Sequence, residues 1–212
     1  MTKPDSLIFD MDGTLWDAVE MYVASWNAGY AKEKVNKVVT TDDLGFMMGW
    51  EKRKVLERML PEFSIEEQEK IFETINSSRA EMLSQMGGKL YNGVVDGLIK
   101  LSKEYKLFIV SNCPENLITE FMDWAGITHL ITDEMAHGVN SKPKHYNIKL
   151  LIEKYNLKSP IYIGDTQTDS EESRKAELPF VFVNYGFGST EDYDLKFDDF
   201  KGFAEYFLRL EK

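Results

Sequence analysis

Leu7-Ile8-Phe9-Asp10-Met11-Asp12-Gly13-Thr14 is the stretch that sets the fold. Three apolar residues run straight into a carboxylate, a second carboxylate follows two positions later, and Gly13 can turn the chain sharply. An apolar run without polar alternation fits a strand buried on both faces, as in a parallel sheet covered by helices. The pattern recurs at Leu107-Phe108-Ile109-Val110-Ser111 and at Ile161-Tyr162-Ile163-Gly164-Asp165. Phe180-Val181-Phe182-Val183-Asn184 repeats it, and His129 to Thr132 reads as a weaker fifth strand. Helical patterns lie between, over Val94 to Tyr105, Glu115 to Ala125, Lys144 to Tyr155 and Asp169 to Ala176. Strand and helix in alternation predict an α/β protein with a doubly wound parallel sheet.

One interval breaks the rhythm. About a hundred residues separate the first two apolar runs, where one crossover needs about 30. Here the chain reads as helix only: Trp16 to Glu33, Trp50 to Met59 and Ser64 to Met86, the last opening on a capping box and closing at Gly87-Gly88. The expected organisation is therefore a core of residues 1–17 and 92–212 with a helical insertion, 18–91, after the first strand. The 212 residues are 43% apolar, enough for a real core, which excludes disorder. Lys and Arg number 25 against 36 Asp and Glu, a net charge of −11. That balance argues against a nucleic-acid or anionic-membrane surface, since both need clustered cations. Cys113 is the only cysteine, so no internal disulfide forms. The opening residues offer only Leu7 to Phe9 as an apolar run, too little for a signal-peptide core, and no stretch has membrane-span length. A cytoplasmic protein is expected.

In an open α/β sheet, ligands bind outside the carboxyl ends of the strands. Asp10, Ser111 and Asp165 each stand where a strand stops, with Asp12 and Asp169 close behind. Asp169 also suits a helix start, within Thr168-Asp169-Ser170-Glu171-Glu172. Carboxylates converging on one place repel, and a divalent cation resolves the conflict; all-oxygen ligands suit Mg²⁺. Lys142, before Pro143, is placed at the N-terminal edge of a helix. A cation there opposes the helix dipole unless an anion binds between them.

Asp10-Met11-Asp12-Gly13-Thr14-Leu15-Trp16-Asp17 resembles the first motif of the haloacid dehalogenase superfamily in its phosphatase form. Ser111-Asn112, Lys142-Pro143 and Gly164-Asp165-Thr166-Gln167-Thr168-Asp169 are similar to its other three motifs, in order. The helical insertion resembles the family's cap, and the chain is most similar to the branch of phosphoglycolate phosphatases and β-phosphoglucomutases. The resemblance implies a Rossmann-like core and a Mg²⁺-dependent phosphatase acting on a small phosphorylated metabolite. It makes Asp10 the nucleophile that forms an aspartyl-phosphate, and Asp12 the acid and base. Ser111 and Lys142 would stabilise the transferring phosphoryl group, with Asn112 beside the substrate. Asp10, the main-chain carbonyl of Asp12, and Asp165 would hold the metal, and Asp169 would act through water or by orienting Lys142. A mutase of the same branch is the nearest rival; such mutases carry a His early in the first cap helix, where this chain offers Tyr22. A phospho-accepting signalling domain is a rival of another class, but those domains lack the second Asp and the cap.

Within the insertion, Gly45-Phe46-Met47-Met48-Gly49-Trp50-Glu51-Lys52-Arg53 is the segment expected to read the substrate, through Gly49, Trp50, Lys52 and Arg53. Cys113 does not suit a cysteine phosphatase, because Thr119 stands where an Arg is needed. His129, His137 and His145 share no metal-ligand spacing and read as surface residues. Gly186-Phe187-Gly188 begins a dinucleotide-like pattern that Glu191 breaks.

Overall fold

The computed structural model describes residues 2–211 and divides the chain into two units, Met1–Asp17 with Leu90–Lys212, and Ala18–Lys89. In chain order the first unit begins with β1 (Ser6–Phe9) and β2 (Trp16–Asp17). The second unit holds α1 (Val19–Lys32), α2 (Thr41–Gly45), α3 (Lys52–Met59) and α4 (Ile65–Met86), and β3 (Lys89–Leu90) marks the return. The first unit then resumes with α5 (Val94–Leu101), β4 (Lys106–Ser111), α6 (Leu117–Ala125), β5 (Asp133–Ala136) and α7 (His137–Asn140). It continues through α8 (Lys144–Tyr155), β6 (Pro160–Gly164), α9 (Gln167–Lys175), β7 (Phe180–Val183), β8 (Leu195–Phe197) and α10 (Phe200–Leu208).

Six strands form one sheet in the order β5-β4-β1-β6-β7-β8, with every neighbouring pair parallel. β1 lies inside it, its four residues all buried, with Phe9 opposite Ile109 of β4 and Ile163 of β6. Alternate side chains leave opposite faces of a strand, and both faces here are covered. Ile8 joins Phe108, Val110, Tyr162, Phe180 and Phe182 against Ile148 and Leu151 of α8. Phe9 points the other way, its ring centroid 6.1 Å from Phe200 and 5.7 Å from Phe203 of α10. A strand buried on both sides must be apolar throughout, which is why these runs stood out.

The edges of the sheet depart from expectation. The fifth strand is Asp133–Ala136, whereas Thr128–Leu130 makes a 3-10 turn. Asp-Glu-Met-Ala is half-exposed at the sheet's rim, so it carries no apolar run to announce it. β8, three residues at the other rim, and α10 are further additions; α10 starts where the Asp199 side chain accepts from Gly202 N at 2.6 Å.

In the second unit, α4 runs as expected: Ser64 Oγ accepts from Glu67 N and Glu67 Oε2 from Ser64 N, and Gly87 ends the helix. α1 starts at Val19 instead of Trp16, because Trp16 and Asp17 are extended in β2. α2 is an unexpected short helix, capped reciprocally by Thr40 and Asp43. Among the described residues no helix is long and apolar enough to cross a membrane.

Candidate active site

The parallel register alone assembles most of the site. Asp10 directly follows β1 and donates its N–H to Ile163 O (2.8 Å), Ser111 ends β4, and Asp165 directly follows β6. Three strand ends distant in sequence therefore meet at one edge of the sheet. The chain then turns tightly after Asp10: Leu15 N donates to Met11 O and Gly13 N to Trp16 O, both at 2.9 Å. Gly13 sits at φ +80°, and a Cβ there would lie 2.1 Å from Asp165 Oδ2, so only glycine serves. Asp12 is buried within this turn and bridges to Trp16.

Asp10, Asp165 and Asp169 are all buried and offer carboxylate oxygens within 4.8 Å of one another. The fourth-motif acids are separated by a capping box at the start of α9. Thr166 Oγ1 and N donate to Asp169 Oδ2 at 2.6 and 3.0 Å, and Asp169 N donates back to Thr166 Oγ1 at 3.1 Å. Asp169 is thus both helix cap and site residue.

The cation at the centre is Lys144, not Lys142. Lys144 Nζ lies 2.6 Å from Asp169 Oδ1 and 3.1 Å from Asp10 Oδ1, with all three side chains 1% exposed. Lys142 is exposed, its ammonium 6.0 Å from the Tyr146 ring centroid. The helix phase is the reason. Pro143 is an extended N-cap (ψ 155°) instead of the first helical residue, so α8 begins at Lys144. Its buried face is Lys144, Asn147, Ile148 and Leu151, at helical spacing. Counting that stripe back from Leu151 would have selected Lys144 from sequence. Tyr162 completes the support: its ring centroid is 5.6 Å from Lys144 Nζ, and its hydroxyl donates to Val110 O at 3.0 Å.

Burial pushes the Asp10 carboxyl up to about 6, and Asp169 adds to this; Lys144, the Met11 N–H and Ser111 pull the other way. Burial, followed by the charges of Asp169 and Asp10, drives Asp165 well above the usual carboxylate range. For Lys144 burial works against the charge, yet Asp10 and Asp169 outweigh it and hold the ammonium well above its ordinary value. One lysine thus faces three acids in a place without solvent. Among the described residues none donates a well-formed hydrogen bond to either oxygen of Asp10, although each is buried. An all-oxygen set with an unsatisfied buried carboxylate fits a hard divalent cation, and Asp10, Asp165 and Asp169 are the side chains that could hold it.

The remaining expected residues fall as follows. Asn112 is half-buried beside Ser111, and Cys113 is buried at the loop before α6. Within the second unit, Gly49 sits at φ +79°, and Trp50, 36% exposed, meets the exposed Phe46 edge-on at 5.7 Å. Lys52 pairs with Glu69 at 2.8 Å, and Arg53 with Glu57 at 3.1 Å. His145 is not a surface residue: it is half-buried, its Nδ1 2.8 Å from Glu172 Oε2. Besides Lys144, sequence reading missed Tyr162, which resembles any core aromatic of a buried strand.

The sequence profile of the haloacid dehalogenase-like hydrolases matches residues 7–183. The chain is 26% identical to the phosphoglycolate phosphatase of Aliivibrio fischeri over 92% of each chain. It is also 26% identical to the N-acetylmuramic acid 6-phosphate phosphatase of Pseudomonas putida, covering 88% of this chain and 86% of that one. Its fold is shared with the crystal structure of a predicted phosphoglycolate phosphatase from Haemophilus somnus 129PT (TM-score 0.85, 22% identity, 97% of this chain and 99% of that one). The chain belongs to the haloacid dehalogenase-like hydrolase family. Within it, the chain is one of the phosphatases, hydrolases of phosphate esters.

Proposed function

We propose that this chain is a Mg²⁺-dependent phosphomonoesterase that hydrolyses a small phosphorylated metabolite through an aspartyl-phosphate on Asp10. The observation that carries the reading is the state of Asp10: buried, accepting no well-formed hydrogen bond from the described residues, and 3.1 Å from the Lys144 ammonium. A carboxylate so placed has a free lone pair and a cation beside it to balance the charge of an incoming phosphate.

In this scheme an Asp10 oxygen attacks phosphorus, the ester P–O bond breaks, and Asp12 gives its proton to the leaving oxygen. Water then attacks the same phosphorus while Asp12 takes the proton back, which releases inorganic phosphate and restores the Asp10 carboxylate. Ser111 donates to a phosphoryl oxygen and Lys144 neutralises charge on the others; Asp169 and Tyr162 hold Lys144 in place. Asn112 adjoins the bound phosphoryl group. Asp10, the Asp12 carbonyl, Asp165 and Asp169 would hold Mg²⁺, which would supply additional positive charge against the phosphoryl oxygens.

Residues 18–89 act as the cap in this reading, and Gly49, Trp50, Lys52 and Arg53 sense the distal part of the substrate. The exposed Phe46–Trp50 pair supports a contact surface there. The relatives named above differ in substrate, one a phosphorylated hydroxy acid and one an amino-sugar phosphate, so the metabolite is left as a class. A cytoplasmic location belongs to the same proposal. A phosphate-release screen over phosphorylated metabolites, with Mg²⁺ and with EDTA, tests it. Release that depends on Mg²⁺ and disappears in Asp10→Asn is expected; release independent of both would refute it.

A further inference from the structure

The Gly186-Phe187-Gly188 stretch, left without a role by the sequence, lies directly on Asp165. Phe187 N donates to Asp165 Oδ2 at 2.7 Å, the best-formed hydrogen bond this carboxylate receives; Thr14 Oγ1 stands 3.5 Å from the other oxygen. The approach leaves no room for a side chain. A Cβ at Gly186 would lie 2.3 Å from Asp165 Oδ2 and 2.4 Å from Gly13 O, so the loop touches the carboxylate and the turn after β1 together. The preceding residue anchors it there. Tyr185 donates its hydroxyl to Thr14 O at 2.8 Å, and its ring packs at 4.6 Å on Tyr91.

We infer that Tyr185, Gly186 and the Phe187 N–H form a positioning clamp that holds Asp165 in the orientation in which it joins Asp10 and Asp169 around a divalent cation. A carboxylate facing two like charges swings away unless something fixes it. The backbone N–H does so without bringing a charge of its own, and the Tyr185 hydroxyl ties the loop to the Asp10–Thr14 turn. Both halves of the cation site are then held in register by one short segment after β7. None of these groups touches the reacting atoms; they act through Asp165. The inference rests on the cation site proposed above.

Mg²⁺ binding to the full-length protein, followed by titration calorimetry without substrate, tests it in Tyr185→Phe and Gly186→Ala. Tyr105→Phe is the control, since that hydroxyl donates to Phe207 O, a buried bond between tyrosine and backbone that involves no site residue. Tyr185→Phe is expected to raise the Mg²⁺ Kd about 10-fold, with most kcat recovered at saturating Mg²⁺. Gly186→Ala should raise the Kd more, while Tyr105→Phe lowers the melting temperature and leaves the Kd within twofold. A Tyr185→Phe Kd within twofold of wild type, or an equal rise in Tyr105→Phe, would overturn the clamp. If Gly186→Ala does not fold, Tyr185→Phe decides alone. Failure of the wild-type protein to bind Mg²⁺ would instead overturn the cation site, and the clamp with it.

Discussion

Lys144 shows how much one side chain carries at this site. Three carboxylates lie within 4.8 Å of one another, out of contact with water, and a single ammonium touches two of them. Removing one partner of a buried ion pair costs about 3–5 kcal/mol, because the other charge stays behind. Lys144→Ala should therefore lower stability by that order and cut kcat by about 10²-fold or more, whereas Lys142→Ala should leave kcat within threefold. Steady-state kinetics on the two variants separate them; equal losses would contradict the helix phase described above. Asp10 behaves differently. Its carboxyl titrates near 6 in the folded chain against an ordinary 3.8, so the unfolded chain loses this proton first. The metal-free protein should accordingly lose stability as pH rises from 3.8 to about 6. Asp10→Asn removes that penalty. Chemical denaturation in EDTA at pH 7.5 should show it on the order of 3 kcal/mol more stable than wild type, while turnover is abolished. A destabilised Asp10→Asn would mean that the carboxylate's partners outweigh its burial.

At the scale of elements, α8 and α9 are joined by a polar contact next to Lys144 in the chain. Glu172 of α9 accepts from His145 N at 2.9 Å and from Lys175 Nζ at 2.7 Å, and lies 2.8 Å from His145 Nδ1. Burial would raise its carboxyl, but Lys175 and the two His145 contacts dominate and hold it near 2. A depressed folded-state value adds stability that is complete above the ordinary 4.5 and disappears as pH falls toward 2. Glu172→Gln should cost about 1–2 kcal/mol at pH 7 and progressively less below pH 4.5. Urea denaturation at pH 7 and pH 3 measures the difference, and a pH-independent loss would assign the effect to packing.

For the whole molecule, the site is a product of topology. β1 lies between β4 and β6, so the strands that end in Asp10, Ser111 and Asp165 are neighbours although up to about 150 residues separate them. A cation bound only by the folded chain stabilises it by mass action, about 2.7 kcal/mol at a hundred times its Kd. Mg²⁺ should therefore raise the melting temperature and EDTA reverse it, with the shift lost in Asp165→Asn. A melting temperature indifferent to Mg²⁺ in the wild-type protein would argue against the cation site.

What could be read from the chain alone were the strands of the sheet's interior and the acids that end them. Burial on both faces demands continuous apolar runs, and each run stops at a polar residue at or just past the strand's carboxyl end. The Ser64 capping box was legible for a similar reason, being a purely local hydrogen-bond pattern. The rim strands Asp133–Ala136 and Leu195–Phe197 left no such mark, because half-exposed strands need no apolar run. The start of α8 was settled by the folded structure: Pro143 is its extended N-cap, so Lys142 lies ahead of the helix in solvent, while Lys144 opens the buried stripe and meets the acids. The same holds for the loop on Asp165. Its glycines look like ordinary punctuation until the strand order brings a distant carboxylate against them, and contacts of that kind are a property of three-dimensional packing that no local pattern encodes.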